Sequence, residues 1–184
     1  MPCYRKLLPA DLFQLTRHLL ALVSDERRMR FHGSVGDLAI ERYCRRIDWF
    51  RSVAVGYLVD GRLRGVAQLS FERALYPRDG ELAVTVETPW QGRGVGSQLV
   101  RRAVTVARNR GVRHLSMLCL VENRRMRRIA AKLEGVLQFD GTTVEADLGL
   151  TRATPWTWLE ELVHDGAGNL TAAADSLLAP APEA

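Results

Sequence analysis

Between a β-like run and an amphipathic helix, the stretch VETPWQGRGVGSQLVRRAV (residues 86–104) places glycine at positions 92, 94 and 96. One glycine is enough to turn a strand into a helix. Three, alternating at the helix start, indicate that something approaches the backbone closely enough for a Cβ to be in the way. The first N–H groups of a helix lack intrahelical acceptors and, aided by the helix dipole, form an anion site. Gln91, Gly92, Arg93, Gly94, Val95, Gly96 and Ser97 are therefore the candidate contacts to a pyrophosphate, with Arg93 adding a charge. A purely structural turn is the alternative. Two phosphate-binding fingerprints are excluded: no Gly-Lys-Ser/Thr opens the helix, and a dinucleotide-type G-x-G-x-x-G would need glycine at Leu99.

The flanking pattern predicts what carries this loop. Pro9–Val23 and Val35–Arg46 have helical periodicity, Leu12, Leu15, Leu19 and Leu20 sharing one face. Residues 52–71 form a hairpin turning at Asp60-Gly61, a pair suited to positive φ. Residues 81–87 make a third strand, stopped by Pro89, and the helix Val95–Arg110 ends at Gly111. HLSMLCLV (114–121) is apolar on both faces, as a central strand is. A helix with Met126, Ile129, Ala130 and Leu133 as its buried stripe follows, then a strand pair, Val136–Phe139 and Thr143–Leu148, about Gly141. The expected fold class is α/β (α+β): a mixed, mostly antiparallel twisted sheet with a central parallel strand–helix–strand unit, flanked by helices. One domain over residues 1–154 is expected, with a short C-terminal helix and a loose Ala/Pro-rich tail over 155–184.

Composition narrows the setting. In 184 residues, 47% are hydrophobic and 26% charged, an ordinary globular balance. No run is long or apolar enough to span a bilayer, and Pro9 and Asp11 interrupt any signal-like segment, so no membrane partner and a cytoplasmic location are expected. Cys3, Cys44 and Cys119 have no metal-ligand spacing, and no metal is expected. The net charge of +5 is nearly all arginine, only Lys6 and Lys132 being lysine. Such a balance suits a polyanionic cofactor or acidic partner, but no nucleic-acid motif is present.

Gln91, Gly94 and Gly96 match the Gln/Arg-x-x-Gly-x-Gly/Ala signature of the GNAT superfamily of acetyl-CoA-dependent N-acyltransferases, which this chain resembles. VENRRMRRIAAKLEG (121–135) is similar to the family's strand end, asparagine and short helix. ELAVTVE (81–87) with the glycine loop further resembles bacterial protein-lysine acetyltransferases. The resemblance implies acetyl-CoA as cosubstrate, with the backbone of Val84, Thr85 and Val86 pairing with the pantetheine arm. It also implies residues 91–97 on the pyrophosphate and Asn123 near the thioester, where Asn123 alone reads as a helix N-cap. The acceptor would be an amine: a protein lysine, or a small amine, polyamine or amino-acid metabolite. A homodimer stays open.

An amine of lysine type, with pKa about 10.4, must lose a proton before it attacks a thioester, so a base is wanted. Glu81 is the first candidate; Glu87 and Glu122 are the others. A backbone N–H near Val84–Val86 would meet the oxyanion. The tyrosine that many relatives place seven residues after the asparagine is here Ala130, so the thiolate would leave without a dedicated acid. The arginines of NRRMRR (124, 125, 127 and 128) are a solvated face, or a contact to the nucleotide 3′-phosphate or an acidic acceptor surface. An acyl-CoA-binding module without chemistry is the rival from another class.

Overall fold

The computed structural model describes residues 2–74 and 77–178, those after 166 by backbone only. Seven strands form one sheet in the order β1-β2-β3-β4-β5-β7-β6. They are β1 (Cys3–Leu7), β2 (Ser52–Val59), β3 (Arg62–Phe71), β4 (Asp79–Val86), β5 (His114–Leu120), β6 (Val136–Asp140) and β7 (Thr143–Gly149). Every pairing is antiparallel except β4 with β5, joined by α4 (Val95–Asn109). The expected mixed sheet with one central parallel unit is therefore the architecture found. Asp60 and Gly61, at φ 50° and 70°, make the tight β2–β3 turn, and Gly141, at φ 55°, sits in the β6–β7 turn.

Helices cover the two faces unequally. One face carries α4, α5 (Arg124–Lys132) and α6 (Pro155–Leu178). Its core joins Leu99, Val100, Ala103 and Ala107 of α4 to Leu69, Leu82, Leu115, Met117 and Leu148 of the sheet. The other face carries α1 (Leu12–Ala21), α2 (Ser24–Phe31) and α3 (Asp37–Arg45), with Leu15, Leu19 and Ile40 packed on Leu58, Leu63 and Val66. These helices lie over β3 and β4, and α2 reaches β5. On that same face Leu118, Glu145 and Gln138 are exposed, so the β5–β7–β6 half is open.

Three elements differ from the sequence expectation. β1 was not expected, because only Cys3 and Leu7 of CYRKL are buried, too few to show a period. The helix expected over Pro9–Val23 begins with a 3-10 turn at Pro9–Asp11 and ends at Ala21, and α2 follows where no helix was expected. α2, sequence SDERRMRF, buries no residue fully and offers no apolar stripe to read. The short helix after Thr154 runs on through Leu178, so much of the Ala-rich segment is helical; residues 179–184 lie outside the described residues. α6 is seated by polar groups: Lys6 pairs with Glu161 and Asp165. The Asn109 amide also donates to the Thr157 carbonyl at 3.0 Å.

Candidate active site

β4 and β5 are parallel partners only from Asp79/His114 to Glu81/Ser116. Beyond that row the two strands part, and the wedge between them opens toward their carboxyl ends. That is where open parallel sheets present ligand sites. The Glu87 N–H bonds to the Arg64 carbonyl of β3 at 3.0 Å. Strand alternation then turns the N–H and C=O of Thr85 toward β3 and those of Val84 and Val86 into the wedge. The Val86 carbonyl is taken by the Gln91 side-chain amide at 2.7 Å. Val84 lies beyond the last β4–β5 pair, so its N–H and C=O face the wedge with no strand partner there among the described residues.

At the wide end stands the glycine loop. Gly92 and Gly94 have φ of 72° and 81°, in the left-handed region, and a Cβ on either would meet nothing within 4 Å. Gly94 is the N-cap of α4 with no side-chain bond, and the Gln98 N–H to the Gly94 carbonyl opens the helical ladder. The N–H groups of Val95, Gly96 and Ser97 are thus left without intrahelical acceptors beside open space. Gly96 differs: a Cβ there would lie 3.6 Å from Ile129 Cδ1 and 3.8 Å from Val86 Cγ2, ordinary contact. It has no left-handed backbone, and the packing there has room for a Cβ. Arg93 stacks on Trp90 with its guanidinium carbon 5.3 Å from the ring centroid, and Trp90 meets the Tyr57 ring edge-on.

The carboxylates separate clearly. Side chains of Glu81, Thr85 and Glu87 share one face of β4, the face of α1. Glu87 is buried between Arg64 and His18: Arg64 donates to Oε2 at 2.9 Å and His18 Nδ1 to Oε1 at 3.2 Å. The Thr85 hydroxyl lies 2.8 Å from His18 Nε2, and His18 is 2% exposed. Burial alone would push the Glu87 carboxyl up, but hydrogen bonds and charge from His18 and Arg64 outweigh it and hold it below the usual range. A carboxylate held ionised in this way is a poor base. Glu122 is exposed and ion-paired to Arg28. Glu81 is exposed, with no hydrogen-bond or ion-pair partner among the described residues, in the last paired row before the wedge.

That row continues across the open face. Glu81 is level with Ser116 of β5, and Ser116 with Asp147 of β7; the next row sets Leu118 beside Glu145. Leu118 is 39% exposed, so β5 is less enclosed than its sequence suggests. Asn123 caps α5, its Oδ1 accepting from the Met126 N–H at 3.1 Å. Ala130 is 1% exposed within the core. Of the α5 arginines, Arg125 reaches the Gln91 carbonyl, while Arg124 and Arg128 are exposed.

The lowered Glu87 carboxyl has a consequence for stability. A group titrating lower folded than unfolded adds stability above its unfolded value, about 4.3, and loses it as pH falls through the folded value. The parent's resistance to chemical denaturant should therefore fall as pH drops below about 4.3. Glu87→Gln should be less stable at neutral pH and show a flatter acid limb. Parallel curves for the two proteins would remove Glu87 from the acid transition.

Among the described residues, no helix is long and apolar enough to cross a membrane, and no group of His, Cys, Asp and Glu could hold a metal ion. The loop, wedge and cap all fall within residues 19–135, which match the Acetyltransferase (GNAT) family. An acetyltransferase of Pseudomonas aeruginosa is 32% identical over 118 residues, 62% of this chain and 63% of that protein. The chain thus spans less than two thirds of that relative. The GNAT domain of S. lividans PAT has the same fold, with TM-score 0.68 and 20% identity over 80% of this chain and 89% of that one. An N-acetyltransferase from Thermoplasma acidophilum, solved with coenzyme A, has TM-score 0.60 and 15% identity over 82% of this chain and 99% of that one. With its glycine loop, its parted β4 and β5 and a family match over most of its length, this chain belongs to the GNAT family of acetyltransferases.

Proposed function

We propose that the protein is an acetyl-CoA-dependent N-acetyltransferase that moves the acetyl group to a primary amine by direct attack in a ternary complex. The observation that carries this reading is the wedge that opens at Glu81/Ser116 toward the glycine loop. Its two ends suit the two ends of the donor. The N–H groups of residues 95–97 and the open left-handed glycines 92 and 94 fit a pyrophosphate. The inward-turned groups of Val84 and the Val86 N–H fit an extended pantetheine arm, added much as a strand would be.

In the reaction, Glu81 takes the amine proton, directly or through water, before the nitrogen attacks the thioester carbonyl. The Val84 N–H donates to the oxyanion that forms. Collapse expels the thiolate, which needs no acid because a thiol is already weakly acidic at neutral pH. Asn123 holds the first turn of α5 against the end of the wedge. The carboxylates of Glu81, Asp147 and Glu145 along the open face favour a cationic acceptor, whether a protein lysine or a polyamine.

Thiol release from acetyl-CoA tests this directly, with purified protein against two acceptor pools: lysine-containing proteins, and small amines including polyamines. Release above the acceptor-free rate is expected with one pool and identifies the acceptor class. Tight acetyl-CoA binding with no release from either pool would instead support a non-catalytic acyl-CoA-binding module, the reading that Ala130 favours.

A further inference from the structure

α2 is anchored at its last turn by Phe31 and Arg30 against Tyr43, and elsewhere is held over the sheet by polar bonds. It has eight residues, none fully buried, and such a helix is marginal unless other groups fix it. Its bonds run to both sides of the wedge. At its first turn, Glu26 Oε2 accepts from the Val23 N–H at 3.0 Å, the glutamate half of a capping box, Val23 having no side-chain acceptor to supply the other half. The other oxygen, Oε1, leaves the helix: it accepts from the Thr88 hydroxyl at 2.6 Å and from the Gln91 side-chain amide at 3.0 Å. That same amide donates to the Val86 carbonyl, and the Gln91 carbonyl accepts from Arg125 of α5. At the far end of α2, Arg28 pairs with Glu122, and His32, the helix C-cap, bonds through Nε2 to the Leu118 carbonyl of β5 at 3.1 Å.

The helix therefore straps the wide end of the wedge on the face that carries Glu81, with Glu26 as its tie to the strand end and loop behind it. We infer that Glu26 is a positioning residue that couples the two substrate sites: when the loop and the Val86 backbone are fixed by the donor, Glu26 transmits that order to α2, which borders the acceptor's approach. The inference rests on the reading of the loop as the donor site. Gln91 is the shared element. Its amide serves the wedge wall through Val86 and α2 through Glu26, so a shift of the loop changes both bonds together. The sense is positive: a firmer loop gives a firmer α2, and a placed α2 favours donor binding by the same factor.

The acceptor is not needed for the test; coenzyme A is the probe. Amide hydrogen exchange across residues 24–32 is measured with and without saturating coenzyme A, and binding is followed separately by calorimetry. In the parent, exchange in α2 is expected to slow by at least about fivefold, the lower end of ordinary site–site coupling. Glu26→Gln is the discriminating variant, because a glutamine oxygen can still accept from the Val23 N–H at the helix start. It keeps the helix cap while presenting only one acceptor oxygen, which cannot serve Val23 and Gln91 together. It is expected to bind coenzyme A, to exchange in α2 somewhat faster than the parent without ligand because the Thr88 and Gln91 bonds are weakened, and to lose the ligand-dependent slowing. Thr88→Val, which leaves the cap and the Gln91 bond intact, should lose part of it. Slowing that survives in Glu26→Gln, or parent protein that binds coenzyme A with α2 unchanged, overturns the coupling and leaves the donor site standing. Parent protein that does not bind coenzyme A overturns the donor-site reading and this inference together.

Discussion

Gly94→Asp is expected to weaken acetyl-CoA binding by roughly 100-fold or more while leaving the protein folded. The argument has two parts with opposite signs. Gly94 is the N-cap of α4 at φ 81°, with open space where a Cβ would go, so nothing in the fold blocks the new side chain. Aspartate tolerates left-handed backbone better than most residues, and a carboxylate at a helix N-terminus is stabilising. The backbone strain, of order 1–2 kcal/mol, is thus partly offset, and the melting temperature should move by only a few degrees. For a pyrophosphate the same carboxylate is adverse. It occupies the approach to the N–H groups of residues 95–97 and repels a like charge within a few ångströms. Loss of about 2.7 kcal/mol corresponds to a hundredfold weaker complex. Gly94→Ala separates the effects, since it pays the strain without the charge and should lose far less affinity. Calorimetric titration with acetyl-CoA reads both. Affinity unchanged in Gly94→Asp would mean that the anion site lies elsewhere.

The glycine loop was legible because its chemistry is local. Positive φ at residues 92 and 94 and the bare helix start follow from a few adjacent residues. The β2–β3 turn and the α4 stripe were legible for the same reason. What sequence did not disclose depends on contacts between distant segments. β1 is a strand because Cys3 and Leu7 pack beneath α1 and α3, and nothing inside CYRKL announces it. α2 has no apolar stripe to reveal it; its place is set by distant partners, Phe31 and Arg30 against Tyr43 and Glu26 against Thr88 and Gln91, the last two more than sixty positions away. Gly96 was grouped with the other two glycines, yet its backbone is helical and a Cβ there would make only ordinary contact with Ile129 and Val86. The rank order of the carboxylates was likewise only half visible. Shared parity of Glu81 and Glu87 can be counted along β4, but the disarming of Glu87 by Arg64 and His18 needs β3 and α1 in place. Ala130 shows the reverse case: a missing hydroxyl is plain in the sequence, and the fold adds that the site is sealed in the core.

Glu81→Gln is expected to lower turnover by about 10²–10³ near pH 7 with acetyl-CoA affinity within about twofold of the parent. The side chain lies on the face of the sheet that carries α1, at the row where β4 and β5 part and away from the loop, so the donor should not register its loss. Its weight comes from the acceptor. An amine of pKa about 10.4 is deprotonated in fewer than one molecule in a thousand at pH 7, and a carboxylate in reach removes that proton as attack proceeds. Without it, the variant must wait for amine already deprotonated in solution, a pool that grows about tenfold per pH unit. The deficit should therefore be largest at low pH and shrink steadily toward pH 10. A second possibility can be told apart in the same data. If Glu81 only attracts a cationic acceptor, the variant's acceptor KM rises while kcat at saturation holds, and the ratio of parent to variant does not converge at high pH until the amine itself loses its charge. A fall in kcat that recovers with pH assigns Glu81 as the base; equal turnover at every pH would remove it from the mechanism and direct attention to water ordered by Ser116 and Asp147, its neighbours in the same row.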